Sequence, residues 1–421
     1  MNILIVNTSE RQGGAAIAAQ RLMDALQQQG ETVRMLVRDK HTQRSNVLAL
    51  GYDWRRKWHF LWERVVIWTA NRFSRQNLFA VDIANTGTDI TTLPAFQEAD
   101  VVHLHWVNQG MLSLGGLRKI LQSGKPVVWT MHDMWPCTGI CHHARNCNNY
   151  HTGCRLCPYL INGGGEKDIS QQVFKRKQNI YNLAPIYFVA CSKWLKERAL
   201  QSALLKGKKA TNIPNPIDTG RFAPANKEEA RKRCGLPNGM KLILFGSAKI
   251  TDKRKGIDYF IESCRILANN VPDLKETLGV VVYGQHAEEL QTLLPFSVFP
   301  LNYIKSEEVL VDVYNAVDLF VTPSLEENLP NTIMEAMSCG VPCVGFHVGG
   351  IPEMIDHQAN GYVARYKCTE DLAQGINEVL SHKDYDALSR NARQKVMENY
   401  SPETVVRQYI AIYKECSKNH E

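Results

Sequence analysis

Long apolar runs are missing from this sequence, and none approaches the ~18 residues that a bilayer-spanning helix requires. The start, MNILIVN, has neither a basic n-region nor a full apolar stretch, and reads as a first strand rather than a signal peptide. Those two absences make a cytoplasmic protein the expectation. Internal repeats and low-complexity tracts are also absent. The pattern G-x-G-x-x-G does not follow the first strand, so a nicotinamide or flavin enzyme is not supported. What is present is ordinary. With 44% hydrophobic and 22% charged residues, the composition excludes disordered, collagen-like and disulfide-scaffold chains. At 421 residues the chain is too long for one comfortable core and points to two domains. Lys plus Arg (49) exceeds Asp plus Glu (42), a net charge of +7 that suits an anionic ligand, an anionic membrane surface or nucleic acid alike.

Short β-branched runs alternate with helical periodicity, the signature of parallel βαβ units. ILIV at 3–6 is followed by a glycine turn, an amphipathic helix and Gly30, and TVRMLV at 32–37 reads as the second strand. Further strands are expected at 100–106, 126–132 and 185–191. The alternation then starts afresh at 241–246, 279–284, 318–323 and 341–346. Two successive α/β cores are the economical interpretation. The turn-rich segment 212–224, with three prolines, is the expected boundary, and from about residue 368 the chain reads as continuously helical.

Three features carry chemistry. Gly13-Gly14 lies just after the first strand, at a helix start, where backbone can approach a ligand and negative charge is favoured. A glycine turn without a ligand is equally open. Lys249 and Lys255 flank a loop leaving the carboxyl end of a strand, the edge at which open α/β sheets bind ligands. Two ammonium groups there suit a diphosphate, although a basic loop taken singly also reads as a solvated turn. The most specific segment is PSLEENLPNTIMEAMSCGVPCV. Glu327 follows the strand, Pro330 stands where a helix begins, and Glu335 lies within a short helix ended by Gly340 and Pro342. Carboxylates so placed can bond different hydroxyls of one ligand while the amides at the helix start face a phosphate.

This E-x7-E segment, with Ser324 before it and E-A-M-S-C-G-V-P from Glu335 onward, resembles the donor-site motif of family-4 retaining glycosyltransferases of the GT-B fold. The resemblance holds in order and spacing along nearly the whole chain. Gly13-Gly14 matches the amino-terminal glycine loop, His132 of TMHD the active-site histidine, and NPID (215–218) the N-G-I-D linker. Lys249 and Lys255 fall where the family has Arg and Lys, and HVGGIPEMI (347–355) matches the loop after the motif. MHDMWPCTGICHHARNC and SLEENLPNTIMEAM further resemble transferases that build colanic acid and related bacterial surface polysaccharides.

The resemblance implies two Rossmann-like α/β domains with parallel sheets facing each other across a cleft. They would span 1–212, with a cysteine-rich insertion at 137–157, and 213–395, with a helix at 396–421 returning to the first domain. It implies a nucleotide diphosphate sugar as donor, UDP- or GDP-linked, and a glycan acceptor, lipid-linked. Lys249 and Lys255, helped by Gly13 and Gly14, would hold the diphosphate, and Glu335 the ribose hydroxyls. Leu329, Pro330 and Asn331 would line the donor site, Glu327 would bond the donor sugar, and His132 would stand beside it. No catalytic divalent metal is implied, and the only D-x-D, Asp384-Tyr385-Asp386, falls in a polar helical stretch. Two departures bear on specificity: Lys249 replaces an arginine, losing its planar fork, and Asn328-Leu329 replaces Gly-Phe.

Five of the 12 cysteines fall between Cys137 and Cys157. Cys141, Cys147, Cys154 and Cys157, at x5, x6 and x2 intervals, suit a structural zinc site, with Cys137 as a substitute ligand. A redox pair or unliganded thiols are the alternatives. Trp54, Trp58 and Trp62 share a helical face near Arg55, Arg56, Lys57 and Arg64. Such a helix can face the core or lie in a lipid interface, on the inner membrane surface. No nucleic-acid motif accompanies it. Other readings of the whole chain are a GT-B epimerase or phosphorylase, and a nucleotide-binding scaffold without turnover.

Overall fold

The computed structural model describes residues 1–51 and 53–418, apart from the side chains of residues 53, 55 and 56. It divides into two compact units: Met1–Pro216 with the chain from Val405 onward, and Ile217–Thr404.

The first unit carries a seven-stranded sheet. Its strands are β1 (Asn2–Ser9), β2 (Thr32–Asp39), β3 (Val47–Ala49), β4 (Val101–Leu104), β5 (Val127–Met131), β6 (Tyr187–Ala190) and β7 (Ala210–Asn212). They lie in the order β3-β2-β1-β4-β5-β6-β7, and every pairing is parallel. A parallel sheet is covered on both faces, which is why its strands are continuously apolar rather than alternating. Leu4 and Val6 join one core with Leu36, Leu104 and Trp129, while Ile3 and Ile5 join a second core with Met35, Val37 and Val128 on the other face. The helix Pro402–Lys418 closes that second core with Val405, Val406, Tyr409, Tyr413 and Cys416, so the expected return of the C-terminal helix is observed.

The second unit carries six strands: β8 (Lys241–Lys249), β9 (Leu278–Gln285), β10 (Ser297–Leu301), β11 (Leu319–Thr322), β12 (Cys343–Phe346) and β13 (Gly361–Ala364). Their order is β10-β9-β8-β11-β12-β13, again all parallel. In both sheets the chain reverses its direction of winding once, between β1 and β4 and between β8 and β11. Those two points are where open α/β sheets leave a crevice beyond the carboxyl ends of their strands.

The helix Asp53–Ala70 overturns the core-facing reading of the tryptophans. Trp54, Trp58 and Trp62 are 65%, 57% and 44% exposed, with Leu61 and Val65 exposed beside them. Trp58 and Trp62 stack on each other with centroids 5.8 Å apart. The buried face instead holds Glu63, Arg64 and Ile67. Glu63 accepts the backbone N–H groups of Ile83 and Ala84 at 2.8 and 2.7 Å, and Arg64 pairs with Asp82. Polar groups inside and aromatics outside invert the usual pattern of a helix on a globular surface. Among the described residues no helix is long and apolar enough to cross a membrane.

Candidate active site

In the first unit Gly13 and Gly14 lie at the helix start that follows β1. Gly13, with φ of 90° in the left-handed half of the map, caps the helix Gly14–Gln28 without a side-chain bond. The ends of β1 and β4 are stitched together: Asn7 Oδ1 accepts the Trp106 N–H at 2.9 Å, and the Thr8 hydroxyl donates to the Trp106 carbonyl at 2.8 Å.

His132 follows β5 directly, next to β4 in the sheet. Its Nε2 lies 2.9 Å from Nδ1 of His105, two rings stacked with centroids 5.2 Å apart. Behind them His103 is fully buried, with Nε2 2.8 Å from the Thr130 hydroxyl and Nδ1 2.7 Å from the Tyr413 hydroxyl. Burial lowers all three: His132 to about 4 despite the nearby Asp133 charge, His103 to about 3, and His105 well below its ordinary value. The cluster is therefore neutral at physiological pH.

Asp133 opens the other side of the loop. Its carboxylate accepts the Trp106 indole N–H at 2.7 Å, the Trp135 N–H at 2.8 Å and His142 Nδ1 at 2.7 Å. The opposite nitrogen of His142, Nε2, meets Asp82 at 2.6 Å, and Asp82 also pairs with Arg64. Burial alone would discharge His142, but the Asp133 charge and the hydrogen bonds to both carboxylates outweigh it and raise the imidazole to about 10. Burial would likewise raise Asp133, yet the His142 charge and bond hold it at about 2. A doubly held imidazolium thus anchors the chain on either side of His132.

The zinc expectation for Cys141, Cys147, Cys154 and Cys157 is not supported. Among the described residues no group of three or more His, Cys, Asp or Glu side chains is arranged to hold a metal ion. Cys141, Cys154 and Cys157 belong instead to the hydrophobic core, and with Cys147 they line a small cavity with Ile140, Ala144 and Tyr150. Cys154 Sγ accepts the Gly139 N–H at 3.1 Å. Burial pushes Cys154 up to about 12 and Cys157 up to about 11. Cys137 is buried and donates to the Met134 carbonyl at 3.1 Å. Lys177 secures the same loop, donating to the carbonyls of Trp135 and Thr138 at 2.6 and 3.1 Å.

In the second unit two of the predicted residues, Lys255 and Glu327, come together. The loop 323–330 leaves β11, and the helix Asn331–Ser338 starts directly after Pro330. Lys255, in the turn after β8, ion-pairs with Glu327. Glu335 is buried in the helix and accepts the Tyr314 hydroxyl at 3.0 Å. Leu329 is buried and Asn331 is half-buried at the helix start. Two glycines allow the loops to close: a Cβ on Gly256 would lie 1.8 Å from the Pro323 carbonyl oxygen, and one on Gly349 1.9 Å from that of Glu327. Lys249 is exposed at the end of β8, past a register shift that begins at Gly246. Asp384 proves to be a helix cap, accepting the Ala387 N–H at 2.9 Å, and Tyr385 bonds the Asp318 carbonyl at 2.6 Å.

His103, His105, Asp133, Asp82 and Tyr314 were not singled out from the sequence, and His142 was noted only as interleaved with the cysteines. Only the H-x-H of DVVHLHW offered a signal, because alternate residues of a strand end share a face.

Residues 12–221 match the family model for Glycosyltransferase Family 4, and residues 240–382 that for Glycosyl transferases group 1. The chain is 25% identical over 239 residues to UDP-Gal:alpha-D-GlcNAc-diphosphoundecaprenol alpha-1,3-galactosyltransferase of Escherichia coli, covering 53% of this chain and 60% of that protein. It spans about half the length of the curated relatives it matches. Sucrose-phosphate synthase from Thermosynechococcus elongatus superposes over 98% of both chains, with a TM-score of 0.67 and 19% identity. HepE of Anabaena, solved in complex with UDP, covers 99% of this chain and is itself covered over its full 100%, with a TM-score of 0.64 and 15% identity. At these identities the structural likeness establishes the GT-B fold. With both halves of the chain matched, and with the E-x7-E loop meeting a lysine at the crevice of the second sheet, the protein belongs to the family-4 glycosyltransferases.

Proposed function

We propose that this protein is a retaining, metal-independent transferase moving a sugar from a UDP- or GDP-linked donor to a lipid-linked glycan in bacterial surface polysaccharide synthesis. The observation that carries the reading is the ion pair between Lys255, in the turn after β8, and Glu327, in the loop after β11. In this account Lys249 and Lys255, with the amides at Gly13-Gly14, neutralise the diphosphate. Glu335 accepts the ribose hydroxyls, Glu327 binds the donor sugar, and His132 contacts the same sugar. The acceptor hydroxyl attacks the anomeric carbon from the face that the diphosphate leaves, and the departing phosphate oxygen takes the hydroxyl proton. Cations beside the leaving group stabilise the charge that develops on it, which lowers the barrier at its source.

The exposed aromatic stripe supports a lipid-linked acceptor. Trp54, Trp58, Leu61, Trp62 and Val65 present apolar surface outward, the geometry of a helix lying in a bilayer interface at the inner face of the plasma membrane. The name of the E. coli relative, which specifies a diphosphoundecaprenol acceptor, points the same way. Vesicles containing anionic lipid should therefore co-sediment the protein, and Trp58→Ala with Trp62→Ala should weaken that binding at least about tenfold. Equal binding by the double variant would remove the stripe from the account.

Thermal unfolding with UDP, GDP or NAD tests the donor assignment. At 100 times its dissociation constant, a bound nucleotide adds roughly 2.7 kcal/mol of stability. A rise with UDP or GDP supports the reading and identifies the base, whereas a rise with NAD alone contradicts it.

A further inference from the structure

The contact between His105 and His132 contains one proton. Both rings are neutral, so the 2.9 Å bond between His105 Nδ1 and His132 Nε2 has a single N–H. Its two arrangements differ in what they leave behind. If the proton sat on His132 Nε2, His105 would carry its own proton on Nε2. That atom is buried and, among the described residues, has no hydrogen-bond partner. His103, with ring centroids 4.3 Å away, cannot serve, because Thr130 and Tyr413 engage both its nitrogens. A buried N–H without an acceptor is rare in native proteins, and an unmet acceptor is better tolerated. The proton therefore resides on His105 Nδ1, leaving its Nε2 a bare lone pair.

We infer that His105 is a positioning residue that fixes His132 in the tautomer with its proton on Nδ1, so that His132 offers the sugar a hydrogen-bond donor. The role toward the sugar rests on the function proposed above; the tautomer does not. His105 is itself held in place, since its carbonyl accepts the Trp129 indole N–H at 3.0 Å and its N–H donates to the Val6 carbonyl at 2.9 Å.

Long-range proton–nitrogen correlation on the full chain, labelled with ¹⁵N-histidine, reads the tautomer directly. His132→Asn identifies the His132 signals. A protonated Nδ1 and bare Nε2 on His132 are expected, and the reverse pattern would overturn the inference. A second arm follows turnover. His105→Asn keeps an N–H at the place of Nδ1 and should retain most of kcat. His105→Phe should lose about tenfold, the worth of one hydrogen bond, and leave His132 as a mixture of tautomers. Full kcat in His105→Phe would also overturn the positioning role. If the wild type turns over no nucleotide sugar, the proposed function fails, while the nitrogen spectrum still decides the tautomer.

Discussion

Replacing Lys255 with alanine is expected to lower kcat by about 10²–10³, the usual consequence of removing one electrostatic stabiliser of a transition state. In the proposed account the Lys255 ammonium, held by Glu327, exchanges that carboxylate for the diphosphate. Its side chain is 36% exposed, so loss of the pair should cost less than about 1 kcal/mol of stability and the variant should fold. Charge matters more than shape here, so Lys255→Arg should recover part of the rate. An alanine variant with wild-type kcat would show that the leaving group is stabilised elsewhere.

His142→Leu should produce the largest loss of stability, about 3–5 kcal/mol at neutral pH, because it leaves the Asp133 carboxylate without its paired cation and leaves Asp82 with Arg64 alone. In a unit of this size that corresponds to a fall in Tm of roughly 6–20 °C. The sign of its pH dependence is fixed. The folded His142 titrates at about 10 and the unfolded one near 6.5, so its contribution is complete below the lower value and is lost as pH rises through the upper. Lys177 runs the other way: burial depresses it to about 7 from 10.5, so its contribution rises with pH between those values. The difference in unfolding free energy between wild type and His142→Leu cancels the Lys177 effect. That difference should shrink steadily from pH 6.5 to pH 10. A constant difference would mean that His142 acts through packing, not charge.

The strands that the sequence made legible are those buried on both faces, such as 3–6 and 127–129, where burial forces continuous β-branched residues. Four were missed. β3 and β7 are three-residue edge strands without an apolar run, β10 contains Pro300 at another edge, and β13 is four residues ending its sheet. The E-x7-E segment was readable because a strand end, a loop and a helix start follow one another along the chain. The Asp82–His142–Asp133 anchor was not, since its partners stand 60 and 9 residues apart and only the fold joins them. Periodicity put Trp54, Trp58 and Trp62 on one face but could not say which way it turned. What decided it was the buried demand of Glu63 and Arg64 for the backbone at 78–84. Cysteine spacing had the same weakness, because thiols packed into a core and thiolates around zinc can share one pattern.

The most direct test is the anomeric configuration of a product. The protein would be supplied with an α-linked UDP-sugar or GDP-sugar, as the unfolding experiment selects, and a sugar acceptor carried on a diphosphoprenyl chain. Nuclear magnetic resonance would follow both the donor and the new glycosidic bond. The account predicts equal amounts of free nucleoside diphosphate and an α-linked product, with turnover abolished by Glu327→Ala. A β-linked product, or undiminished turnover in that variant, would contradict it.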